Sequence, residues 1–404
     1  MMLAIMGALY NSPRQFEPLL PGAAGQEALL PKAHDLAQAA IKLAGRAAPP
    51  ELRMLLRGMN SYYTNRIEGQ HTRPFEIEQA LRKDFSGDRE LAARQRLAVA
   101  HIEAEAVIEQ RYRGEEGARR LYTAQAVGEL HHELFARLPA ADLLMPEGDI
   151  VAPGELRKRD VTVGRHVAPA HASLPVFLQR WGEVYGNVRR GEAALLALMA
   201  AHQRLGWIHP FIDGNGRVMR LHSHAVLSAL GYTNGLWSPL RGFARSTGRY
   251  YALLADAGAP RQGDLDGRGN LSERALIAWI DYMLDICLDQ VRFMDTMFDF
   301  AAMERRIAAC LAYEEETLKS GVRREAGRPL HYLFLSGGEI DRGEFKIMTG
   351  LGERTAVKAL TALIKRGLLK SDTPQGRVRF GLPLHALRFY FPALWPEAEA
   401  DSSE

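Results

Sequence analysis

The organisation of this chain is decided by the stretch Trp207-Ile-His-Pro-Phe-Ile-Asp-Gly-Asn-Gly-Arg-Val-Met-Arg220. An apolar run with helical spacing, residues 193–207, leads into it, and a second helical period begins within it. Pro210 disfavours helix at the residue before it. Gly214 and Gly216 allow positive φ and a close approach of the backbone to a ligand. The stretch therefore predicts a helix, a tight turn and a second helix.

This turn collects side chains suited to phosphate chemistry. A glycine-rich turn that opens a helix presents free N–H groups and the positive end of the helix dipole, which together bind anions. Arg217 and Arg220 are three residues apart, so they share one helix face and can grip the same anion. Asp213 can hold Mg²⁺ beside phosphates, and His209 can exchange a proton near neutral pH. The set indicates phosphoryl or nucleotidyl transfer. The alternative is an ordinary helix–turn–helix with a structural histidine and two solvated arginines.

Residues 209–220 match every defined position of HPFx(D/E)GNGRxxR, and in this the chain resembles Fic domains. Fic domains typically transfer AMP from ATP to a protein hydroxyl, so the resemblance implies a protein adenylyltransferase that uses Mg²⁺ and ATP. It implies that His209 is the general base and that Asp213 is the Mg²⁺ ligand. The nucleotide-binding residues that it implies in the signature are Gly214, Asn215, Gly216, Arg217 and Arg220. Related kinase-type toxins carry lysine in place of Gly216, so this sequence is similar to the adenylylating branch.

A second motif lies upstream, at Thr64-Asn-Arg-Ile-Glu68-Gly69. Its pattern, [ST]xxxE[GN], resembles the inhibitory motif of Fic proteins, and residues 16–21 resemble other Fic N-termini. The resemblance implies that Glu68 pairs with Arg220 and keeps the γ-phosphate of ATP from seating productively. A carboxylate is a natural occupant of an anion site that awaits phosphate. The alternative is a solvated glutamate before a helix-ending glycine.

The helical period disappears between residues 150 and 167, where residues 160–166 alternate like a short strand before a glycine turn. In Fic proteins the equivalent segment forms a β-hairpin flap that binds the target peptide as an added strand. The resemblance therefore implies target-binding residues in this segment, namely Asp160, Val161, Thr162 and Val163.

Residues 246–254 also resemble the family, in which a tyrosine of this helix lies near the nucleobase. Tyr250 and Tyr251 are the candidates. Their rings could stack on adenine, and the alternative is that they belong to the core.

Composition sets the broad class of the protein. Hydrophobic residues make up 47% of the 404 residues and charged residues 25%, as in an ordinary soluble protein. No apolar run approaches the roughly 18 residues of a membrane span, and residues 1–10 lack a basic leader and a clear cleavage site. Cys287 and Cys310 fall on apolar helical faces and form no disulfide or cysteine metal framework. We therefore expect a cytoplasmic protein.

The histidines outside the signature are not predicted to bind metal. His131-His132-Glu133 lacks HExxH spacing, and adjacent histidines on a helix point in different directions. His202, His222 and His224 have no carboxylate or cysteine partner at metal-binding spacing in the sequence. We predict that they are packing residues.

The predicted fold is mainly α, with a Fic-type helical bundle, one β-hairpin flap and a small C-terminal winged helix-turn-helix domain. Prolines in residues 11–31 indicate an extended arm, and helical periods follow in several segments. The helices predicted before the signature are 32–46, 50–68, 74–83, 89–112, 118–138 and 174–188. We predict three domains, which are an N-terminal arm with the inhibitory motif (1–86), the catalytic domain (87–320) and the winged helix (321–396).

The C-terminal prediction rests on helices at residues 329–335, 342–348 and 353–366, followed by two short strands. Residues 319–380 hold 13 Lys and Arg against 6 Asp and Glu, a net charge of +7 compared with +3 for the whole chain. DNA contact is therefore one interpretation, and a docking module with a solvated basic face is the other. The DNA-facing residues would be Arg354, Thr355, Lys358, Arg377 and Arg379.

The sequence leaves several alternatives open. The same site could remove AMP, with Glu68 positioning water, or the Fic domain could set the state of a DNA-binding regulator. Another nucleotide, or a phosphocholine donor, could replace ATP because the signature does not specify the base pocket. Neither the target protein, which could be the chain itself, nor homodimer formation follows from the sequence.

Overall fold

The computed structural model describes residues 10–146, 148–187 and 191–394. The chain forms two compact units. The first contains the residues up to Ala44, Asn60–Thr72 and Gln79–Arg292, and the second contains Gly45–Met59, Arg73–Glu78 and the residues from Phe293 onward. The predicted mainly helical class is confirmed. The three-domain division remains a prediction.

The helices up to residue 297 carry most of the predicted bundle. They are α1 (Ala23–Ala44), α2 (Pro50–Ile67), α3 (Pro74–Leu81), α4 (Arg89–Arg111), α5 (Gly114–Arg120), α6 (Ala124–Phe135), α7 (Leu174–Tyr185), α8 (Glu192–Ile208), α9 (Asn215–Ala229), α10 (Leu240–Arg245), α11 (Thr247–Asp256) and α12 (Glu273–Met297). Short 3₁₀ turns occur at Pro13–Phe16, Ala140–Asp142 and His171–Ser173. Among the described residues, no helix is both long enough and apolar enough to cross a membrane.

The N-terminal arm is more helical than predicted. Residues 11–31 were expected to be extended, but α1 already begins at Ala23 and contains Pro31 in its interior. A proline inside a helix costs about 3 kcal/mol. The helix forms nonetheless because its apolar stripe is buried. That stripe consists of Leu29, Ala33, Leu36, Ala37, Ala40 and Leu43.

The arm before α1 is anchored within the first unit by aromatic packing and hydrogen bonds. Phe16 is fully buried, with its ring centroid 5.1 Å from that of Phe177. The buried guanidinium of Arg204 donates to the carbonyl of Pro18 through Nη2 at 2.7 Å. These contacts hold the chain that leads into α1 against α7 and α8.

The predicted helix 118–138 is two helices, α5 and α6, because Thr123 caps the second one. Its hydroxyl accepts a hydrogen bond from the amide of Ala126 at 3.1 Å, which satisfies one of the free N–H groups at the start of a helix. The predicted helices 50–68, 74–83 and 89–112 are confirmed to within two residues as α2, α3 and α4. The predicted helix 174–188 is α7, and Val188 lies outside the described residues.

The predicted helix, turn and helix around the signature are confirmed as α8, residues 209–214 and α9. Nearly every side chain of α8 is buried, since this helix runs through the centre of the first unit. A buried helix of this kind gives the turn that follows it a fixed position.

The predicted hairpin is present but shorter than the alternation suggested. Strand β1 (Thr162–Val163) pairs antiparallel with β2 (His166–Val167), and Thr162 lies opposite Val167. Gly164 in the connection has φ of 59°, which glycine adopts without strain.

The second unit contains the remaining elements. They are α13 (Phe300–Ala312), a π-helical turn (Tyr313–Thr317), a 3₁₀ turn (Arg324–Ala326), α14 (Gly327–Ser336), β3 (Glu339–Ile340), α15 (Arg342–Thr349), α16 (Glu353–Lys365), β4 (Leu369–Lys370), β5 (Val378–Phe380) and α17 (Leu384–Tyr390). The strands form an antiparallel sheet in the order β3-β5-β4. The three predicted helices and two strands are present, and β3 was missed because two residues carry no readable alternation. The winged-helix assignment remains a prediction.

One predicted DNA-facing residue is engaged within the second unit. Arg379 donates to the carboxylates of Glu51 at 2.5 Å, Asp372 at 2.7 Å and Glu339 at 3.2 Å. Its guanidinium is therefore neutralised by acidic side chains, which argues against a contact with DNA phosphate. Arg354, Thr355, Lys358 and Arg377 are exposed.

Candidate active site

The signature turn is held closed by its own asparagine. Asn215 Oδ1 accepts a hydrogen bond from the amide of Phe211 at 2.9 Å, and its Nδ2 donates to the carbonyl of the same residue at 2.8 Å. The Asn215 side chain is buried. Here the side chain shapes the turn, and the phosphate cradle that the sequence predicted would come from the backbone.

Gly214 is required in this turn for two independent reasons. Its φ is 78°, in the left-handed region that L side chains rarely adopt. A Cβ at this position would also lie 2.5 Å from Cε2 of Phe135, a ring buried in the bundle. Any side chain here would therefore displace the turn.

His209 ends α8 in a left-handed conformation, with φ of 49° and ψ of 63°. Burial lowers the pKa of its imidazole to about 4, and the nearby charges of His166 and Arg157 act in the same direction. The ring is therefore neutral at pH 7. A neutral imidazole can accept a proton, as the predicted general base must.

Glu68 meets Arg220, as the upstream motif predicted. Glu68 Oε1 lies 2.5 Å from Nη2 of Arg220, and Nε of Arg220 donates to Oγ1 of Thr64 at 2.8 Å. Burial alone would raise the pKa of Glu68, but the positive charges of Arg220 and Arg217 outweigh it, so the pKa is lowered. Burial likewise opposes the charge on Arg220, and Glu68 more than offsets it, so the pKa of Arg220 is raised. Both groups are charged at neutral pH.

The Glu68 carboxylate also lies against the start of α9. A Cβ on Gly216 would collide with Oε1 of Glu68 and lie 3.0 Å from Nη1 of Arg220. The first turn of a helix offers free N–H groups and a positive dipole end to an anion. The carboxylate therefore lies where the signature would place a phosphate.

Arg217 has a separate set of partners, which the sequence reasoning missed. Its Nη2 donates to Oε1 of Gln70 at 2.8 Å, and its Nε donates to Oδ1 of Asn65 at 3.3 Å. Both partners belong to or adjoin the upstream motif, and that proximity was the available signal. Burial lowers the pKa of Arg217, and the charges of Glu68 and Asp213 act against this shift. The upstream segment thus engages both signature arginines.

Asp213 is the candidate ligand for Mg²⁺. It is half-buried at the end of the turn, and its negative charge acts on both Arg217 and His209. A carboxylate oxygen is the donor that Mg²⁺ prefers. The chemistry of this position therefore fits the predicted metal ligand.

His131 supports the turn from below, another contribution that the sequence reasoning missed. Its ring stacks on Phe211 with centroids 4.0 Å apart. The amide of Gly154 donates to Nδ1 at 2.8 Å, so the ring proton is on Nε2, which faces the carbonyl of Asp213 at 3.3 Å. Burial lowers the pKa of His131 to about 4, which keeps this arrangement neutral.

The two candidate nucleobase tyrosines have different environments. Tyr250 is fully buried among Phe243, His202 and Trp279, so it presents no face to a nucleobase. This burial favours the alternative that Tyr250 is a core residue, and a role beside the nucleobase stays a prediction. Tyr251 is 41% exposed, and its hydroxyl donates to the carbonyl of Ile67 at 3.0 Å.

The flap residues lie along one short edge. Thr162 and Val163 are exposed, and the carbonyl of Val161 accepts from the amide of Ala168 at 3.2 Å. Asp160 accepts hydrogen bonds from the amide and from Nδ1 of His171. Asp160 thus fixes the base of the hairpin, while β1 is open to solvent.

His224 has carboxylate partners in the fold that its spacing in the sequence does not show. Its Nε2 lies 2.8 Å from Oε1 of Glu109 and 3.5 Å from Oε1 of Glu105, and the three ligand atoms lie within 4.8 Å of one another. Glu105 is in turn hydrogen bonded by Asn60. The two glutamates are one turn apart on α4 and far from His224 in the chain, so sequence spacing could not reveal the pairing. His202 and His222 are buried, as predicted for packing residues.

Comparisons with known proteins agree with this geometry. Residues 121–227 match the model of the Fic/DOC family. The protein adenylyltransferase Fic of Drosophila willistoni is 39% identical over 85 residues, which cover 21% of this chain and 17% of that protein. That of Drosophila mojavensis is 31% identical over 116 residues, which cover 28% of this chain and 21% of that protein. The chain thus spans about a fifth of these curated relatives.

Two solved structures share the fold. A Fic family protein from Desulfovibrio desulfuricans has a TM-score of 0.54 at 17% identity, over 91% of this chain and 99% of that one. Fic-1 from C. elegans has a TM-score of 0.51 at 15% identity, over 69% of this chain and 74% of that one. The chain therefore contains a Fic/DOC domain at residues 121–227 within a Fic-like helical fold.

Proposed function

We propose that this chain is a protein adenylyltransferase, which transfers AMP from ATP to a serine, threonine or tyrosine hydroxyl and is autoinhibited by Glu68. The observation that carries the proposal is the Glu68–Arg220 pair, with its carboxylate against Gly216 at the start of α9. A match to the Fic/DOC family and relatives named protein adenylyltransferase support the reaction class.

In the proposed reaction, the backbone of residues 214–217 and the side chains of Arg217 and Arg220 hold the triphosphate. Neutral His209 removes the proton of the target hydroxyl. The hydroxyl oxygen then bonds to the α-phosphorus, and the bond from that phosphorus to the bridging oxygen of the β-phosphate breaks. AMP remains on the protein and pyrophosphate leaves. The arginines stabilise the negative charge that develops on the leaving group.

Asp213 would hold Mg²⁺, which supplies charge neutralisation at the phosphate oxygens when it is bound. Tyr251 would lie beside the nucleobase, since its ring is partly exposed. The exposed β1 edge would accept an extended target segment as an added strand. In this arrangement Thr162 and Val163 would provide the backbone register for the target.

Inhibition follows from competition for one anion site. The Glu68 carboxylate neutralises Arg220, and the pair is held further by Thr64. A γ-phosphate that approaches the same guanidinium meets a like charge, so ATP is expected to bind without reaching the productive position. Removal of the carboxylate would release Arg220 for phosphate.

The proposal is tested by transfer of label from α-³²P-ATP with Mg²⁺. Wild type, Glu68→Gly and Glu68→Gly/His209→Ala are compared, with exposed Glu90→Gly as the control for replacing a glutamate by glycine away from Arg220. We expect strong labelling of protein in Glu68→Gly and background labelling in the double variant. Equal labelling in both would refute the role of His209, and no increase over wild type would refute inhibition by Glu68.

A second candidate function is the removal of AMP from a modified protein. Glu68 and His209 lie close enough to interact electrostatically, so the carboxylate and the imidazole share one site in which the carboxylate could position water. In that case Glu68→Gly would abolish removal of AMP instead of raising transfer. Incubation of an adenylylated substrate with both forms separates the two directions.

DNA binding by the second unit remains a separate proposal, carried by exposed Arg354 and Lys358 on α16. If these residues contact phosphates, replacing both with alanine should weaken binding and lower its salt dependence by about two phosphate contacts. Fluorescence anisotropy with a labelled duplex over a salt series measures both quantities. Binding that is unchanged in the double variant would exclude this face.

A further inference from the structure

We propose that Arg157 is a positioning residue, which fixes the backbone of His209 and both ends of the β1–β2 flap relative to one another. Its expected effect on catalysis rests on the proposed adenylyl transfer. Its effect on the flap does not depend on that function.

The guanidinium of Arg157 makes three of the contacts, and its backbone amide makes the fourth. Nε of Arg157 donates to the carbonyl of His209 at 2.9 Å, Nη1 to the carbonyl of Arg159 at 2.8 Å and Nη2 to the carbonyl of Pro169 at 2.5 Å. The backbone amide of Arg157 donates in addition to the carbonyl of Pro210 at 2.9 Å. Arg159 precedes β1 and Pro169 follows β2, so the side chain joins both ends of the hairpin to the signature turn.

The energetics of this site argue against a role in packing alone. Arg157 is 4% exposed, and the carboxylate that pairs with it, on Asp160, is 3.8 Å away and exposed to solvent. Its main partners are therefore neutral carbonyls. A buried charge is costly unless hydrogen bonds satisfy it, and an apolar side chain would fill the space without that cost. The planar fork of arginine, however, can serve three carbonyls in fixed directions.

The backbone of His209 has a conformation that requires such support. Its φ of 49° is uncommon for a residue other than glycine, and such conformations persist where surrounding contacts determine them. The backbone carbonyl of His209 accepts a hydrogen bond from Nε of Arg157. The direction of the imidazole is thus coupled to the position of the flap.

Loss of Arg157 is expected to affect the placement of the target segment and not the binding of the nucleotide. A segment added to β1 is delivered at a distance from His209 that Arg157 helps to set. Arg157 bonds to backbone atoms of residues 159, 169, 209 and 210 and to none of the signature side chains that would hold phosphates. Its loss should therefore lower kcat while the KM for ATP changes little.

The test uses the full chain with Glu68→Gly as the reference. Arg157→Met removes the donors, Arg157→Lys keeps the charge without the fork, and Lys158→Met is the matched control because that neighbour is exposed. We expect Arg157→Met to lower kcat by about tenfold to a hundredfold, as misplacement of reacting groups by about 1 Å does. The KM for ATP should stay within about twofold. Hydrogen–deuterium exchange in residues 160–168 should become faster in Arg157→Met, by less in Arg157→Lys, and not at all in Lys158→Met.

The two readouts keep this inference separate from the proposed function. If Glu68→Gly transfers no label, adenylyl transfer is refuted, and the exchange measurement still decides whether Arg157 fixes the flap. Wild-type exchange and kcat in Arg157→Met would overturn the inference, as would a rise in KM for ATP at unchanged kcat. Should Arg157→Met fail to melt cooperatively, Arg157→Lys decides in its place. One ammonium group cannot reproduce the fork, so unchanged exchange and kcat in Arg157→Lys would equally overturn it.

Discussion

At the scale of single residues, the character of the proposed base follows from its burial. His209 is half-buried at the end of α8, and burial lowers its pKa to about 4. An ordinary histidine, with a pKa of about 6.5, would lose its neutral form as the pH falls below 7. The imidazole of His209 stays neutral at these pH values, so it can accept a proton over the whole physiological pH range.

We therefore predict that kcat/KM for transfer by the Glu68→Gly variant stays level from pH 8 to pH 6 and falls only as the pH approaches about 4. The sign follows from the pKa: the neutral imidazole is the active form, and a lowered pKa extends that form into acid. Initial rates with α-³²P-ATP over this range measure the profile. A half-maximal rate near pH 6.5 would contradict the lowered pKa of His209.

A second prediction at this scale concerns the turn. Gly214→Ala should lower the melting temperature and abolish transfer, because the residue has φ of 78° and a methyl group would collide with Phe135. We expect a loss of about 1–3 kcal/mol in the free energy of unfolding. Gly248→Ala is the matched control, since nothing lies within 4 Å of its Cβ position and it belongs to helix α11. Equal melting temperatures and activities for the two variants would contradict the requirement.

At the scale of elements, the end of α2 and the chain just after it engage the arginine face of α9 through two sets of contacts. Thr64 and Glu68 hold Arg220, while Asn65 and Gln70 hold Arg217. The Glu68 carboxylate contributes the negative charge, and the side-chain amides of Asn65 and Gln70 orient the guanidinium of Arg217. Inhibition should thus depend on the whole segment.

From this pairing we predict that Gln70→Ala partly activates transfer. The expected rise is about twofold to tenfold, because the net contribution of one hydrogen bond is about 0.5–1.5 kcal/mol. Glu68→Gly should activate more. Labelling rates of Gln70→Ala and of the neighbouring exposed His71→Ala provide the comparison. A further rise when Gln70→Ala is added to Glu68→Gly would show that Gln70 acts apart from the inhibitory contact.

At the scale of the whole molecule, the first unit contains several buried histidines that are neutral. Burial lowers the pKa of His101 to about 3 and that of His222 to about 4, and the pKa of His202 is well below its ordinary value. The unfolded chain binds protons on these side chains as the pH falls below about 6.5, while the folded chain does not. Stability contributed by the neutral rings is therefore present above that pH and is lost as the pH falls towards 4.

We predict accordingly that the free energy of unfolding decreases between pH 6.5 and pH 4.5, with each such histidine adding a slope of up to about 1.4 kcal/mol per pH unit. Urea denaturation at several pH values measures the slope. His101→Leu should reduce the slope by the contribution of one proton. Neither ring nitrogen of His101 has a hydrogen-bond partner among the described residues, so the substitution breaks no hydrogen bond of the side chain there. Exposed His132→Leu is the control, and an equal reduction in both variants would contradict the assignment to burial.

The sequence by itself determined the features that depend on neighbours in the chain. The helix, turn and helix of the signature follow from periodicity, one proline and two glycines within a few residues. The contact between Glu68 and Arg220 also follows from the sequence, because a motif resemblance links these two distant segments. Such a link is available only where a recognisable pattern marks both partners.

Tertiary structure alone decided the contacts between segments that have no such pattern. Arg157 reaches the carbonyl of His209, and His224 meets Glu109, across separations that no local rule describes. Tyr250 and Tyr251 are adjacent and chemically alike in the sequence, but the fold buries Tyr250 and leaves Tyr251 partly exposed. Local chemistry selects helices and turns over a few residues. Which polar group meets which carbonyl, however, depends on how whole helices pack, because that packing sets the distances.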